Sequence, residues 1–348
     1  MKFATPQWWY VRDGAPAPVT RLLLRPLSWI WASVTARRIA RTVPAYPGAP
    51  VICVGNVTLG GTGKTPVTRE ILRRLAEKGV DAHALSRGYG GRMKGPLRVD
   101  PSRHSAAEVG DEPLMLARDH PVWIAHDRLA GARAAAKAGA PAIVMDDGHQ
   151  NPSVRKALSL VVVDGETRND EWPFGDGRIF PAGPMREPLA AGLARADAVV
   201  LLLPDGVHKP DRELLTVLAD RRLLMARLVP AAPPPAGRQF GFAGVGKPWK
   251  VERALQAAGC DLVDFAPFAD HCVYDEATLR SLAERAEMLH AGLVTTEKDW
   301  VRLPPAWRER VVAWPVRCQF EDEAALDELL KTASGPSAHG PKSKGARP

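Results

Sequence analysis

Val51-Ile-Cys-Val-Gly-Asn-Val-Thr-Leu-Gly-Gly-Thr-Gly-Lys-Thr65 decides the fold. Val51 to Gly55, bounded by Pro50, is a short apolar run and reads as a buried strand. Asn56 to Gly63 is a loop rich in glycine and threonine. From Lys64 to Glu77, the residues Val67, Ile71, Leu72 and Leu75 recur at helical spacing, and Gly79 marks the stop. A glycine loop that opens a helix presents backbone N–H groups to an anion, and the helix dipole adds to the attraction. Lys64 would then reach the β/γ-phosphates and the Thr65 hydroxyl would hold Mg²⁺. The nucleotide-binding candidates are Thr58, Gly60, Gly61, Thr62, Gly63, Lys64 and Thr65. The strict phosphate-loop pattern asks for glycine where the chain has Thr58. The match therefore rests on the flanking strand and helix and on the three glycines. A glycine turn with a solvated lysine is the competing reading.

Outward from this stretch, strands and helices alternate. Strands are expected over 81–85, 122–125, 142–145, 160–163 and 198–203, and helices over 113–118 and 128–138. Such alternation implies a parallel sheet covered on both faces. The run Ala231-Ala-Pro-Pro-Pro-Ala-Gly237 reads as a linker. Beyond it strands over 240–243, 262–265, 293–296 and 311–314 alternate with helices over 250–258 and 277–289. The expected fold class is α/β, with a P-loop NTPase-like parallel sheet and a second, smaller α/β unit. The expected division is an N-terminal segment 1–42, a large unit 43–230 and a smaller one 231–315. A return strand with a C-terminal helix follows over 316–333, then a disordered basic tail over 334–348. The length of 348 residues fits about two domains.

Three carboxylate sites carry further chemistry. Ala142-Ile-Val-Met-Asp-Asp-Gly148 is an apolar strand ending in Asp146 and Asp147. Beside a phosphate loop, strand-end acids sit near Mg²⁺; a plain Asp-Gly turn is the bland alternative. Gly110-Asp-Glu-Pro113 puts Asp111 and Glu112 at a helix mouth, where the dipole alone would favour acids. Asp270-His271 follows an apolar strand in the smaller unit. Asp111 and His271 could form a carboxylate–imidazole couple across a cleft, although spacing alone does not bring them together.

Charge is uneven. The total of 47 Lys and Arg against 39 Asp and Glu gives +8. Residues 1–42 hold seven of the basic residues against Asp13 alone, and the last eighteen hold four with no acid, which leaves the body slightly acidic. That pattern argues against a nucleic-acid surface and for a basic segment meeting an anionic lipid face. Within 18–42, the apolar residues Leu22, Leu23, Leu27, Ile30, Trp31 and Val34 share helical spacing, flanked by Arg21, Arg25, Arg37 and Arg38. The stretch is too short and too interrupted to span a bilayer. It reads as an interfacial helix with tryptophans at the headgroup layer. Alternatively it packs on its own domain with the arginines solvated. Cys53, Cys260, Cys272 and Cys318 form no C-x-x-C pair and read as reduced cytoplasmic thiols. Residues 1–12 have no apolar run of the kind a secretory signal needs, so none is expected.

The chain resembles the tetraacyldisaccharide 4′-kinases, the lipid A 4′-kinases of Gram-negative bacteria. The resemblance is carried by 55–66, Ser86-Arg-Gly-Tyr-Gly90, Val109-Gly-Asp-Glu-Pro113, Asp146-Asp-Gly-His-Gln150, 177–188, Phe242-Ala-Gly-Val-Gly246, Ala269-Asp-His271 and Thr295-Thr-Glu-Lys-Asp299. It implies a two-stranded linker between the units, built from 227–230 and 316–320. It implies ATP and Mg²⁺ as cofactors. The acceptor would be the 4′-hydroxyl of a tetraacylated disaccharide 1-phosphate, a lipid A precursor, and the product lipid IVA. The enzyme would lie peripherally on the cytoplasmic face of the inner membrane, against its phospholipid surface, with no nucleic acid and no obligate protein partner. By the same resemblance Lys64, Asp111 as base and His271 behind it are catalytic. Thr65, Asp146, Asp147 and Glu112 serve Mg²⁺, Glu112 serving either the metal or its loop. Arg128, Gln150, Arg178 and Arg186 meet the acceptor, and Tyr89 lines the nucleotide or the cleft. The family motif ends D-D-G-F-Q-H, where this chain has His149, Gln150 and Asn151. The terminal histidine's role is therefore lost, passed to Asn151, or served by His149. Another small-molecule P-loop kinase or ligase acting at the membrane is the alternative function.

Overall fold

The structure, a computed structural model, describes residues 6–12, 17–204 and 206–334. The expected tail from residue 335 lies outside the described residues, and Ser334 closes a helix instead of opening that tail. The strands are β1 (Val51–Gly55), β2 (His83–Ser86), β3 (Leu97–Arg98), β4 (Val122–Ile124), β5 (Ile143–Asp146), β6 (Leu158–Asp164), β7 (Ala198–Leu203), β8 (Arg222–Pro230), β9 (Arg238–Ala243), β10 (Asp261–Pro267), β11 (Gly292–Thr296), β12 (Val311–Trp314) and β13 (Val316–Phe320). They build a nine-stranded sheet in the order β13-β8-β7-β6-β1-β5-β2-β4-β3 and a four-stranded sheet in the order β10-β9-β11-β12.

The large sheet is parallel except at its two edges, where β3 and β13 run antiparallel to β4 and β8. At its centre β1 pairs with β5 (Val51↔Ile143) and with β6 (Ile52↔Leu158). All five residues of β1 are buried, because helices cover both faces and alternation has no exposed side to mark. Ile52 and Val54 face Val67, Ile71 and Leu75 of the helix Lys64–Glu77, together with Leu326 and Leu330 of the C-terminal helix Glu323–Ser334. Val51 and Cys53 face Ala132 and Ala135 of the helix Arg128–Lys137. The expected linker strands differ from expectation in one respect. They extend the large sheet as its edge: β8 continues the parallel ladder of β7 (Ala198↔Arg222), and β13 returns along β8 (Val316↔Pro230).

The N-terminal helix Pro18–Arg41 packs through its polar residues. Arg21, 1% exposed, donates from Nη1 to Asp176 at 2.6 Å and from Nη2 to the Trp8 carbonyl at 2.9 Å. Ser28 donates to the Ile179 carbonyl at 2.8 Å, and Thr35 is also buried. Leu22, Leu23, Leu27, Trp29, Ile30 and Val34 are all more than half exposed. This reverses the alternative of an apolar face packed on the body with solvated arginines, and it corrects the placing of Arg21 on the flank. Upstream, Trp9 is buried against the rings of Trp8 and Phe180. Among the described residues no helix is long and apolar enough to cross a membrane.

Candidate active site at the carboxyl ends of β1 and β5

In open α/β sheets ligands bind outside the carboxyl ends of the strands, where the strand order reverses. Here β1 and β5 end side by side. Gly55 closes β1 against the loop after β5 so tightly that a Cβ there would lie 2.5 Å from the His149 Cβ. Gly63 then caps the helix Lys64–Glu77 in the left-handed region, at φ 80°. Any side chain at that position would also strike Leu202. Lys64 Nζ lies 3.7 Å from Asp147 Oδ1. The Thr65 hydroxyl is 3.4 Å from Asp146 Oδ2, and the Thr68 hydroxyl 3.3 Å from Oδ1. Thr68 escaped sequence reading; it stands one helical turn after Thr65, which puts it on the same face. Asn56 Nδ2 donates to Thr62 Oγ1 at 3.1 Å and braces the loop from inside.

The two strand-end acids shift in opposite directions. Burial, then the Glu112 carboxylate, pushes the Asp146 carboxyl up to about 7 against the pull of Lys64. Burial also acts against the Asp147 carboxylate, but Lys64 and Arg186 outweigh it and hold that group far below the usual range. A buried carboxyl beside a threonine hydroxyl and a second acid is a set of hard oxygen donors, as Mg²⁺ prefers. Among the described residues no cluster of three or more His, Cys, Asp or Glu forms a closed metal cage. Mg²⁺ in kinase sites needs only one or two carboxylates and takes its other oxygens from phosphates and water. The donor set therefore fits this ion.

The third acid meets the small sheet. His271 Nδ1 and Asp111 Oδ2 are 2.8 Å apart, although 160 residues separate them in sequence. Asp111 Oδ1 accepts the N–H of Glu112 at 2.9 Å. Burial opposes ionisation of Asp111, but the His271 hydrogen bond and the charges of Lys298 and Arg302 bring it down to about 2. His271 holds a left-handed backbone at φ 56°, an uncommon state for a non-glycine residue that clusters at functional sites. The Tyr89 ring lies 5.4 Å from the His271 ring and is largely exposed, at the mouth of the cleft. The glycine turn 244–246 of the small sheet faces the phosphate loop: a Cβ on Gly246 would stand 3.4 Å from the Gly61 nitrogen.

A family model described as tetraacyldisaccharide-1-P 4′-kinase, LpxK, matches residues 20–334. The chain belongs to this family. It is 71% identical over 331 residues to the tetraacyldisaccharide 4′-kinase of Caulobacter vibrioides strain NA1000 / CB15N, covering 95% of this chain and 99% of that protein. It is 70% identical over 330 residues to that of Phenylobacterium zucineum, with the same coverage. Among solved structures, the crystal structure of LpxK from Aquifex aeolicus in complex with ATP superposes with a TM-score of 0.71 at 24% identity. It covers 91% of this chain and all of that one.

Against the tetraacyldisaccharide 4′-kinase pattern, the remaining candidates from the sequence fall into place unevenly, and several change character. Arg186 does reach the centre: Nε donates to the Thr58 carbonyl and Nη1 to Asp147, both at 2.8 Å. Gln150 is a brace, giving its amide hydrogens to the Asn56 carbonyl at 2.7 Å and to Glu187 at 2.9 Å. Arg178 is exposed and paired with Asp176 at 3.1 Å, beside the N-terminal helix. Arg128 is corrected outright. It is buried under the end of β5, where Nη2 donates to the Asp146 carbonyl at 3.1 Å, too deep to grip a lipid headgroup. Burial lowers its guanidinium to about 10. Glu112 pairs with Lys298 Nζ of the small sheet at 3.2 Å, and its carboxylate also acts on the Asp146 carboxyl, so it borders the strand-end acids. His149 is a core residue, with Nδ1 3.1 Å from Ser159 Oγ and Nε2 2.9 Å from the Gly192 carbonyl. Asn151 spends its side-chain oxygen on the N–H and hydroxyl of Ser153. Both ring nitrogens of His149 and the side-chain oxygen of Asn151 are thus committed to partners within the large unit.

Proposed function

We propose that this chain transfers the γ-phosphoryl group of ATP to the 4′-hydroxyl of a tetraacylated glucosamine disaccharide 1-phosphate, giving lipid IVA. The observation that carries this reading is the Asp111–His271 hydrogen bond, formed between the two sheets beside the phosphate loop. Phosphoryl transfer of this kind is mostly positioning and charge stabilisation. The loop N–H groups and Lys64 would cradle the phosphates. Thr65 and Asp146 would hold Mg²⁺, with Asp147 beside them, and that ion when bound supplies charge neutralisation at the β- and γ-oxygens. Asp111 stays ionised at neutral pH and would accept the hydroxyl proton. A weak base suffices, because in a loose transition state that proton leaves late. His271 orients the accepting carboxylate. Arg186 sits between the phosphate loop and Asp147, where a cation faces the transferring group.

The exposed apolar face of Pro18–Arg41 supports a peripheral position on the cytoplasmic face of the inner membrane, where the acceptor's acyl chains lie. The two sheets support a division into a large unit over 43–230 and a smaller one over 231–315, whose approach brings His271 to Asp111 and excludes water. The deciding experiment follows labelled γ-phosphate from ATP with Mg²⁺ to tetraacyldisaccharide 1-phosphate in detergent micelles, with Asp111→Ala in parallel. Transfer by the wild type and a loss of about 10²–10⁴-fold in the variant are expected for a general base. No transfer by folded, ATP-binding wild type would overturn the reading in favour of another acceptor.

A further inference from the structure

The motif Thr295–Asp299 closes β11, and its last residue has no role in the chemistry above. Asp299 is fully buried. Its Oδ1 accepts the Tyr274 hydroxyl at 2.6 Å and the Gly244 N–H at 2.9 Å, and it forms an ion pair with Arg302 Nη2 at 2.8 Å. Its Oδ2 accepts the Thr296 hydroxyl at 2.6 Å. Such an acid is saturated and rigid. Its main product is a fixed guanidinium. Arg302 donates from Nη2 to the Gly244 carbonyl at 2.8 Å and from Nη1 to the Cys272 carbonyl at 3.0 Å. The Gly244 carbonyl also accepts the N–H of His271, at 3.2 Å. The arginine thus grips the backbone on both sides of His271. Its Nε donates to the Lys298 carbonyl at 3.1 Å and lies 3.4 Å from Asp111 Oδ2, so it meets by charge the same oxygen that takes the imidazole.

We propose that Arg302, locked by Asp299, is the positioning residue of the Asp111–His271 pair. It touches neither phosphate loop nor strand-end acids, so it acts through the pair. One planar fork fixes the backbone that carries the histidine, and the charge of the same guanidinium faces the carboxylate from the large sheet. A lysine offers a point charge but not the fork. The proposal rests on the reading of Asp111 and His271 as the reacting pair.

The test is a double-mutant cycle on phosphoryl transfer with Arg302→Met, His271→Ala and the combination. Arg302→Met is expected to lower kcat about 10–100-fold, with the ATP KM changed less than twofold. In the His271→Ala background the same change is expected to cost less than twofold, because residues that act as one unit are non-additive. Arg302→Lys is expected to recover less than a third of the loss. Additive losses in the cycle, or full recovery by lysine, would overturn the proposal. Should Arg302→Met fail to fold, Tyr274→Phe removes one donor to Asp299 with little change in shape. A three- to fivefold kcat loss that vanishes in the His271→Ala background is expected, and an additive one refutes it. A crystal structure of the chosen variant separates this inference from the function itself. The His271–Asp111 contact should open beyond hydrogen-bond reach whether or not the acceptor is the one proposed, and an unchanged contact counts against it.

Discussion

Lys64 is the residue whose removal is expected to cost most. It stands between the phosphate loop and Asp147, and no other lysine among the described residues pairs with that acid. Lys64→Ala should lower kcat about 10²–10³-fold, the scale of losing one preorganised charge partner in a dry site. Turnover within a few-fold of wild type in a steady-state assay would sink the loop assignment. His149 gives a prediction of the opposite kind, on stability. Burial first, then Lys156, lowers its imidazole to about 4 from an ordinary 6.5, so the neutral form is the folded one. Its contribution is complete above about pH 6.5 and is lost as pH falls toward 4, on the order of 3 kcal/mol. His149→Phe introduces the phenylalanine of the D-D-G-F-Q-H motif that the chain resembles. It should flatten the loss of Tm between pH 6.5 and 4.5, while lowering Tm at pH 7.5 because Ser159 and Gly192 lose a partner. Parallel thermal melts across that range check both arms. The sequence shows the histidine as a departure, but only packing shows that it is buried in the core.

Among the elements, the N-terminal helix shows where sequence reading succeeds and where it stops. Its extent and its unsuitability for spanning are legible from composition. Its orientation is not, since Leu, Trp and Arg at helical spacing are compatible with either face turned inward. Arg21, Ser28 and Thr35 settle the matter because partners wait for them on the body: Asp176 and the Trp8 carbonyl for Arg21, and the Ile179 carbonyl for Ser28. Two outcomes follow from that inverted amphipathicity. Arg21→Ala leaves Asp176 with only the exposed Arg178 and strips the Trp8 carbonyl of its donor, and should cost about 1–3 kcal/mol in urea unfolding. Leu22→Ser with Leu27→Ser and Ile30→Ser touches only exposed positions, so Tm should hold while co-sedimentation with anionic phospholipid vesicles falls several-fold. Unchanged sedimentation would mean that the apolar face meets something other than lipid. The strands tell a similar story. β7 and β12 are legible to the residue because each is a short apolar run between polar stops, whereas β8 begins five residues before its expected start because Arg222 to Ala226 pair with β7 through backbone groups. Among the site residues, motifs placed Lys64, Thr65, Asp146 and Asp111 near one another in kind. Thr68 is one helical turn from Thr65 and is within reach of local spacing, whereas Lys298 and Arg302 depend on side chains meeting across the fold, which no local pattern carries.

At the scale of the whole molecule, the two sheets meet along a seam of charge. His271 reaches Asp111, Lys298 reaches Glu112, and Arg69 Nη1 reaches Glu297 at 2.7 Å. Farther out, Lys247 and Lys250 of the small-sheet side reach Asp164 at the end of β6, at 3.0 Å and 2.8 Å, and Lys247 also pairs with Glu171. Burial works against the Asp164 carboxylate, and those two lysines outweigh it and lower its titration. This outer clamp holds no reacting group, so it tests closure apart from chemistry. Lys247→Ala with Lys250→Ala strands Asp164 without counter-charge. It should therefore shift the balance away from the arrangement in which His271 meets Asp111. The rate follows the population of that arrangement: a closed form favoured by only about 1–2 kcal/mol becomes the minority once the clamp is gone. The expected result is a kcat lowered about three- to tenfold, little change in ATP affinity, and faster amide exchange over 244–250 and 270–273. Exchange in those two segments unchanged from wild type would mean that the inner contacts alone hold the sheets together, and kcat should then be unchanged as well.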